Sequence, residues 1–166
     1  MAASRSSADY LLRIVRDIAD YQFGRGVGER LFPDDCMVEV SKRTKRPKYV
    51  FFRGEILATI RYPDNLLALT LAGAKRLLEV AADSALKVIV KKKAVEKIKR
   101  GMSPLARDVI YYDERIRPGD EVLLLDEDGN FMAVGRAVVS GSTIKGLERG
   151  VVVKIRKSLK ENRIQT

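Results

Sequence analysis

Apolar residues recur at three- and four-residue spacing through Leu11, Leu12, Ile14, Val15 and Ile18. That spacing predicts an amphipathic helix from Ala8 to near Tyr21, capped by Ser7 or Asp9, with the small polar residues 1–7 frayed ahead of it. The periodicity breaks at Gly24-Arg25-Gly26-Val27-Gly28, a glycine-rich turn. Short apolar runs at 37–40, 49–53 and 56–62 then predict three strands of a meander, with Gly54-Glu55 as a tight turn and Pro63-Asp64-Asn65 closing the third. Helical spacing returns at Leu69, Leu71, Ala74, Leu77, Leu78 and Ala81, with Lys75 and Arg76 on the wet side. Helix, meander and helix make an α+β domain. The polar break Ala82-Asp83-Ser84-Ala85 sets its boundary, giving domains 1–84 and 85–166.

The second half opens on a β-branched run, Val88-Ile89-Val90, closed by Lys91-Lys92-Lys93. It predicts a buried strand. Val95 and Ile98 then share one face of a short helix, which Gly101 ends by taking a left-handed conformation. Pro104 stiffens the connection to a strand at 109–112. Arg117-Pro118-Gly119-Asp120 and Asp126-Glu127-Asp128-Gly129-Asn130 are turns on either side of a strand at 121–125. A long strand at 131–139 follows, and Gly135 inside it predicts a bulge or a barrel corner. One helical turn at 142–147 and a β-branched strand at 151–155 complete the pattern. So many short strands in one small domain favour closure into a barrel, which removes exposed edges.

Charge narrows the partners. The chain of 166 residues carries a net charge of +10, with a pI near 9.8. A polyanion is implied, chiefly nucleic acid, with an anionic membrane surface or an acidic protein as alternatives. Residues 1–84 hold 14 basic and 11 acidic groups and residues 85–166 hold 18 and 11, so the excess is concentrated in the second half. With one cysteine, Cys36, and no histidine, a disulfide framework and a Cys/His zinc site within the chain are excluded, as are histidine-based nucleophilic schemes. No metal or cofactor is expected. The uncharged apolar stretch 66–74 is too short to span a membrane, and Arg13, Arg16 and Asp17 interrupt any signal-peptide core. The expected compartment is the cytoplasm, without membrane association, and the residue usage leans toward a heat-adapted source.

Between Lys87 and Arg107 lie eight Lys or Arg residues and one acid, Glu96. Cations near a helix C-terminus offset its dipole, which accounts for Lys99 and Arg100 but not for Lys91, Lys92 and Lys93 ahead of the helix. The run is either a solvated surface or a phosphate-binding edge at which glycine lets a nucleic-acid backbone approach. A second basic segment, Lys42, Arg43, Lys45, Arg46 and Lys48 with Arg53, holds six cations and no acid across 41–53. It reads as a hairpin loop, either merely solubilising or in secondary contact with nucleic acid. Lys154 and Arg156 share strand parity and are expected on one face. One of Tyr111 and Tyr112 is expected in the core and the other free to stack on a base. The glycine-rich turn at 24–28 lacks both the preceding strand of a dinucleotide fold and the Gly-Lys-Ser/Thr of a P-loop, so a structural turn is favoured over a phosphate cradle. Asp20, Asp34 and Asp64 are the carboxylates an enzymatic alternative would use. Cys36 reads as an apolar filler.

The ordered set KVIVKK, AVEKIKRG, GMSPLARDV, RPGDEVLLLDEDG, FMAVGRAV and GVVVKIR, from Lys87 to Lys157, resembles a PUA domain, the RNA-binding pseudobarrel of pseudouridine synthases and archaeosine transglycosylases. ADYQFGRGVGERLFPD at 19–34 and GEILATIRYPDNLLALTLAGAKRL at 54–77 look like the domain that precedes PUA in archaeal tRNA-guanine transglycosylase. The resemblance implies an α+β N-terminal domain followed by a mostly-β PUA pseudobarrel. It leaves out the catalytic barrel and zinc site of those enzymes, so a non-catalytic protein is expected. In that family the PUA domain holds the acceptor end of tRNA with the loop after its first helix and its last strand. Carried to this chain, that implies Arg100, Gly101, Met102, Ser103, Leu105 and Arg107, with Lys154 and Arg156; the charge pattern adds Lys92 and Lys93. The expected function is tRNA binding, as an adaptor or as the small subunit beside a separate catalytic RNA-modifying subunit. A ribosome-biogenesis or translation-associated factor is the alternative.

Overall fold

The computed structural model describes residues 2–160. The chain folds as two compact units, Met1–Ala85 and Leu86–Thr166.

In the N-terminal unit, helix α1 (Ala2–Phe23) buries Leu12, Val15, Ala19 and Phe23, which are spaced to form one stripe. It starts ahead of the expected Ala8, because the Ala- and Ser-rich segment before it holds no proline or glycine to stop a helix. Met1, the first residue of the segment expected to fray, lies outside the described residues. After Gly24 and Gly26, both at positive φ, comes a helix that the periodicity does not show, α2 (Val27–Leu31). A Cβ at Gly28 would stand 2.2 Å from the Arg16 carbonyl oxygen, so glycine is what lets α2 lie directly on α1. The Gly28 N–H donates to the Asp20 carboxylate at 2.6 Å. The glycine-rich segment is a packing device.

Strands β1 (Met37–Val40), β2 (Pro47–Phe52), β3 (Glu55–Ile60) and β4 (Leu67–Leu69) form an antiparallel sheet in sequence order. Helical spacing in the sequence includes Leu69 in the second helix. Instead Leu67–Leu69 pairs with residues 58–60 of β3 and is wholly buried, because pairing satisfies its backbone groups while its side chains fill the core. Helix α3 (Leu71–Ala81) begins after Thr70, whose hydroxyl accepts the Gly73 N–H at 3.1 Å. Arg76, expected on the wet side of α3, donates to the Leu31 and Arg30 carbonyls and lies 4.5 Å from the Phe52 ring centroid. It seals the core edge with its stem.

The second unit is a five-stranded sheet in the order β6-β5-β7-β8-β9, made of β5 (Lys87–Val90), β6 (Val109–Tyr112), β7 (Glu121–Leu125), β8 (Phe131–Ala137) and β9 (Val153–Ser158). β5 and β7 run parallel and the other neighbours antiparallel. The segments that lead into its two edge strands pair with each other. Leu105 bridges Val151, Ala106 N–H donates to the Gly150 carbonyl at 2.9 Å and Val152 N–H to the Pro104 carbonyl at 3.2 Å. That pairing curls the sheet into the expected pseudobarrel around Val88, Val90, Ile116, Leu124 and Val152. Helix α4 (Val95–Lys99), preceded by a 3-10 turn at Lys92–Ala94, buries Ile98 in the same core. The fold is an α+β part followed by a β PUA-type barrel.

Gly135 marks a bulge, as its place in an apolar strand predicts: the β8–β9 register shifts between Val134 and Gly135, and a Cβ there would stand 2.6 Å from the Lys154 carbonyl oxygen. The last strand runs Val153–Ser158 rather than 151–155, because the chain through Val151 and Val152 is engaged with residues 104–105.

Candidate nucleic-acid interface

Helix α4 ends in a Schellman motif. Arg100 is the C-cap, Gly101 takes φ 87°, its N–H donates to the Ile98 carbonyl at 2.8 Å, and Met102 N–H reaches the Lys97 carbonyl at 2.9 Å. This turn leaves Arg100 and Gly101 exposed and puts Met102 57% in solvent. The Ser103 hydroxyl then accepts the Ile155 N–H at 3.2 Å, and the Ser158 hydroxyl donates to the Lys99 carbonyl at 3.1 Å. One hydrogen bond therefore ties the loop after α4 to β9, and the other ties the last residue of α4 to the same strand. Lys154, exposed on β9, stands opposite exposed Arg136 of β8. Like charges so placed repel each other and attract a polyanion.

Arg156 behaves differently from Lys154. On β9 the register passes from Ile155 opposite Gly135 to Lys157 opposite Val134, so Arg156 is the extra residue of the bulge. Its guanidinium makes a bidentate pair with Glu121, whose side chain is fully buried, at 3.0 Å and 2.5 Å. Glu121, Arg136 and Lys154 stand directly opposite one another across β7, β8 and β9 and so share one sheet face. Arg156 reaches that same face despite the bulge, and there Glu121 takes up its charge. Lys97 is likewise engaged by Asp108, which also accepts the Leu105 N–H at 2.8 Å. Against the cost of burial, those two hydrogen bonds hold the Asp108 carboxyl below its ordinary value. The cationic edge is thus narrower than the residue count suggests.

Lys92 and Lys93 are exposed, at the opposite end of α4 from Arg100. Arg107 is exposed on a 3-10 turn, Ala106–Asp108, and Leu105 is half-buried at the barrel closure. Arg136 is the cation that sequence reasoning missed. Its signal was a lone charge after glycine in an otherwise apolar strand. Tyr112 is buried and donates to the Val139 carbonyl at 2.7 Å, and burial pushes its hydroxyl up to about 12. Tyr111 is 47% exposed and lines a groove of about 700 Å³ with Ile110, Ile144 and Lys145.

In the N-terminal unit Lys42, Arg43, Lys45, Arg46 and Lys48 are all exposed. The loop between β1 and β2 is closed by Ser41 N–H donating to the Arg46 carbonyl at 2.8 Å and Lys45 N–H to the Ser41 carbonyl at 2.9 Å. The three carboxylates of the enzymatic alternative do structural work: Asp20 accepts from α2, Asp34 pairs with Arg16 at 2.9 Å, and Asp64 pairs with Arg61 at 2.9 Å. Among the described residues no His/Cys/Asp/Glu cluster is arranged to hold a metal, and no helix is long and apolar enough to cross a membrane. Cys36 is buried, and burial with the neighbouring Asp35 charge pushes its thiol up to about 11.

Residues 13–83 match the family described as the patch-forming domain C2 of tRNA-guanine transglycosylase, and residues 86–159 match the PUA domain. The tRNA-guanine(15) transglycosylase of Thermococcus kodakarensis is 36% identical over 149 residues, which are 90% of this chain and 25% of that protein. The Pyrococcus furiosus enzyme of the same name is 39% identical over 146 residues, 88% of this chain and 24% of that one. The chain thus spans about a quarter of the length of these curated relatives. Among solved structures, a hypothetical protein from Pyrococcus horikoshii superposes with a TM-score of 0.71 at 21% identity, covering 92% of both chains. A conserved PUA domain protein from Thermoplasma acidophilum gives 0.63 at 19% identity, covering 90% of this chain and 89% of the other. These two show the fold.

Proposed function

The chain belongs to the PUA domain family, with the C2 domain of tRNA-guanine transglycosylase ahead of it, and on that premise we propose that it is a non-catalytic RNA-binding protein that holds the acceptor end of tRNA for a separate RNA-modifying subunit. The observation that carries this reading is the tie between Ser103 and Ile155. It fixes an exposed apolar side chain, Met102, and a cation, Arg100, beside the Lys154/Arg136 pair. Cations on the two flanks neutralise phosphates and set the position of the RNA, while Met102 packs against an unpaired base at its end. Lys92, Lys93 and Arg107 widen the phosphate-contacting area. Arg156 supports β9 through Glu121. The relatives' name, tRNA-guanine(15) transglycosylase, supports tRNA as the RNA.

The test is binding of bulk tRNA, with and without its 3′ CCA end, across a salt titration. The expected slope of log affinity against log salt is about −0.7 to −0.9 per phosphate contacted. Removing the CCA end weakens binding further, and Arg100→Glu with Arg107→Glu lowers affinity by at least about tenfold. Equal affinity with and without the CCA end, or an unchanged affinity in the double variant, overturns the acceptor-end reading.

A further inference from the structure

The N-terminal sheet has two unlike faces. On one, Val50 and Ala58 are fully buried, Thr70 at the start of α3 bonds the Ile56 and Leu57 carbonyls, and Arg76 of α3 covers Phe52. On the other, the alternate residues of β2, Tyr49 and Phe51, are only half-buried and meet edge to face with centroids 6.1 Å apart. Met37, in register with Phe51, is 73% exposed. Beyond the end of β3, Tyr62 is 80% exposed. Single exposed apolar residues are ordinary, but two adjoining half-buried rings on one sheet face, with a third exposed ring just past the end of β3, are a surface.

The cations identify what covers it. The Arg46 guanidinium lies 5.7 Å from the Tyr62 ring centroid, and the Lys48 ammonium lies 4.8 Å from that of Tyr49. Each of these two rings thus has a cation over one of its faces, so a base would stack on the other face with its phosphate turned toward that charge. Glu39, opposite Tyr49 at the β1 edge, is the acid on this face, and the segment 41–53 contributes six cations and no acid. A protein partner would find apolar side chains ringed by one sign of charge. A single-stranded polynucleotide offers bases for the rings and phosphates for the cations, without needing a particular sequence.

We propose that this face of the N-terminal sheet is a stacking platform for single-stranded nucleic acid, with Tyr62, Tyr49 and Phe51 as the base seats and the 41–48 loop following the backbone. The site is distinct from the edge formed by the α4 loop and β9, and it stands or falls separately from the acceptor-end reading.

The test uses the full chain and a short oligouridylate, which has neither a CCA end nor a duplex. The protein contains six tyrosines and no tryptophan, so quenching of tyrosine emission reports stacking directly. Tyr49→Ala with Tyr62→Ala is expected to weaken oligouridylate binding by about tenfold or more and to leave the salt slope unchanged. Arg46→Gln with Lys48→Gln is expected to reduce the slope by roughly 0.7 per cation removed. Arg100→Glu with Arg107→Glu, in the other unit, is expected to change oligouridylate affinity by less than about twofold. An oligodeoxythymidylate bound equally well marks the seat as reading strandedness, and weaker binding marks it as reading the ribose hydroxyl; both support a stacking seat. The proposal is overturned if oligouridylate does not bind, if the tyrosine variant binds it within about twofold of the parent, or if the Arg100/Arg107 variant alone abolishes binding.

Discussion

Arg156 and Lys154 stand two residues apart on β9 and carry the same charge, yet their surroundings assign them opposite work. Lys154 is exposed, whereas Arg156 lies over a fully buried carboxylate. Truncating a side chain that partners a buried charge leaves that charge uncompensated, which costs about 3–5 kcal/mol. Arg156→Ala is therefore expected to lower the urea midpoint strongly, while Lys154→Ala leaves stability within about 0.5 kcal/mol and weakens RNA binding instead. If the two variants unfold alike, the assignment is wrong. Cys36 supplies a residue-scale prediction of another kind. Its thiol is raised by burial from 9.0 to about 11, so the fold favours the neutral form. The stabilisation is complete below the ordinary thiol value of 9.0 and is lost as pH rises through about 11. Cys36→Ala should flatten the alkaline fall in stability over that window, measured by denaturant titration at several pH values. Asp108 and Asp113 act in the opposite direction. Both are held below the ordinary 3.8, so their contribution is present above that value and disappears on acidification through their lower folded values.

Elements whose pattern is set by their own residues were legible in the sequence. The stripe of α1, the strand run before Lys91, the glycine stop of α4 and the bulge at Gly135 follow from periodicity and from what glycine permits. Elements that depend on a distant partner were not legible. β4 is three residues long and takes its form from pairing with β3, and α2 is five residues long and exists because Gly28 allows it to lie on α1. The same cause limited the site. Strand parity gave Lys154 its exposure, but no local signal announced that Arg156 would sit in a bulge and turn to Glu121, or that Arg136 would stand across from Lys154. Gly73 tests the packing of α3 on the sheet: a Cβ there would stand 1.9 Å from the Leu57 carbonyl oxygen. Gly73→Ala should cost about 3 kcal/mol through the displacement it forces, read from the urea midpoint. A loss below about 0.5 kcal/mol would mean that helix and sheet are less closely seated than that distance implies.

At the scale of the molecule, the two units have separate cores, and each carries its own cationic surface. Gly73→Ala and Arg156→Ala lie in different units, so unfolding followed by probes of each unit should show the first variant shifting one transition and the second the other. A single transition shifted equally by both would mean that the units unfold as one. The bond from Ile155 to Ser103 spans 52 residues. During synthesis the loop after α4 emerges long before β9, and until β9 is made the loop lacks both its strand support and Lys154. The nascent chain can finish its N-terminal unit while this edge is still incomplete, so the surface formed by the α4 loop and β9 is assembled only when the last strand is made.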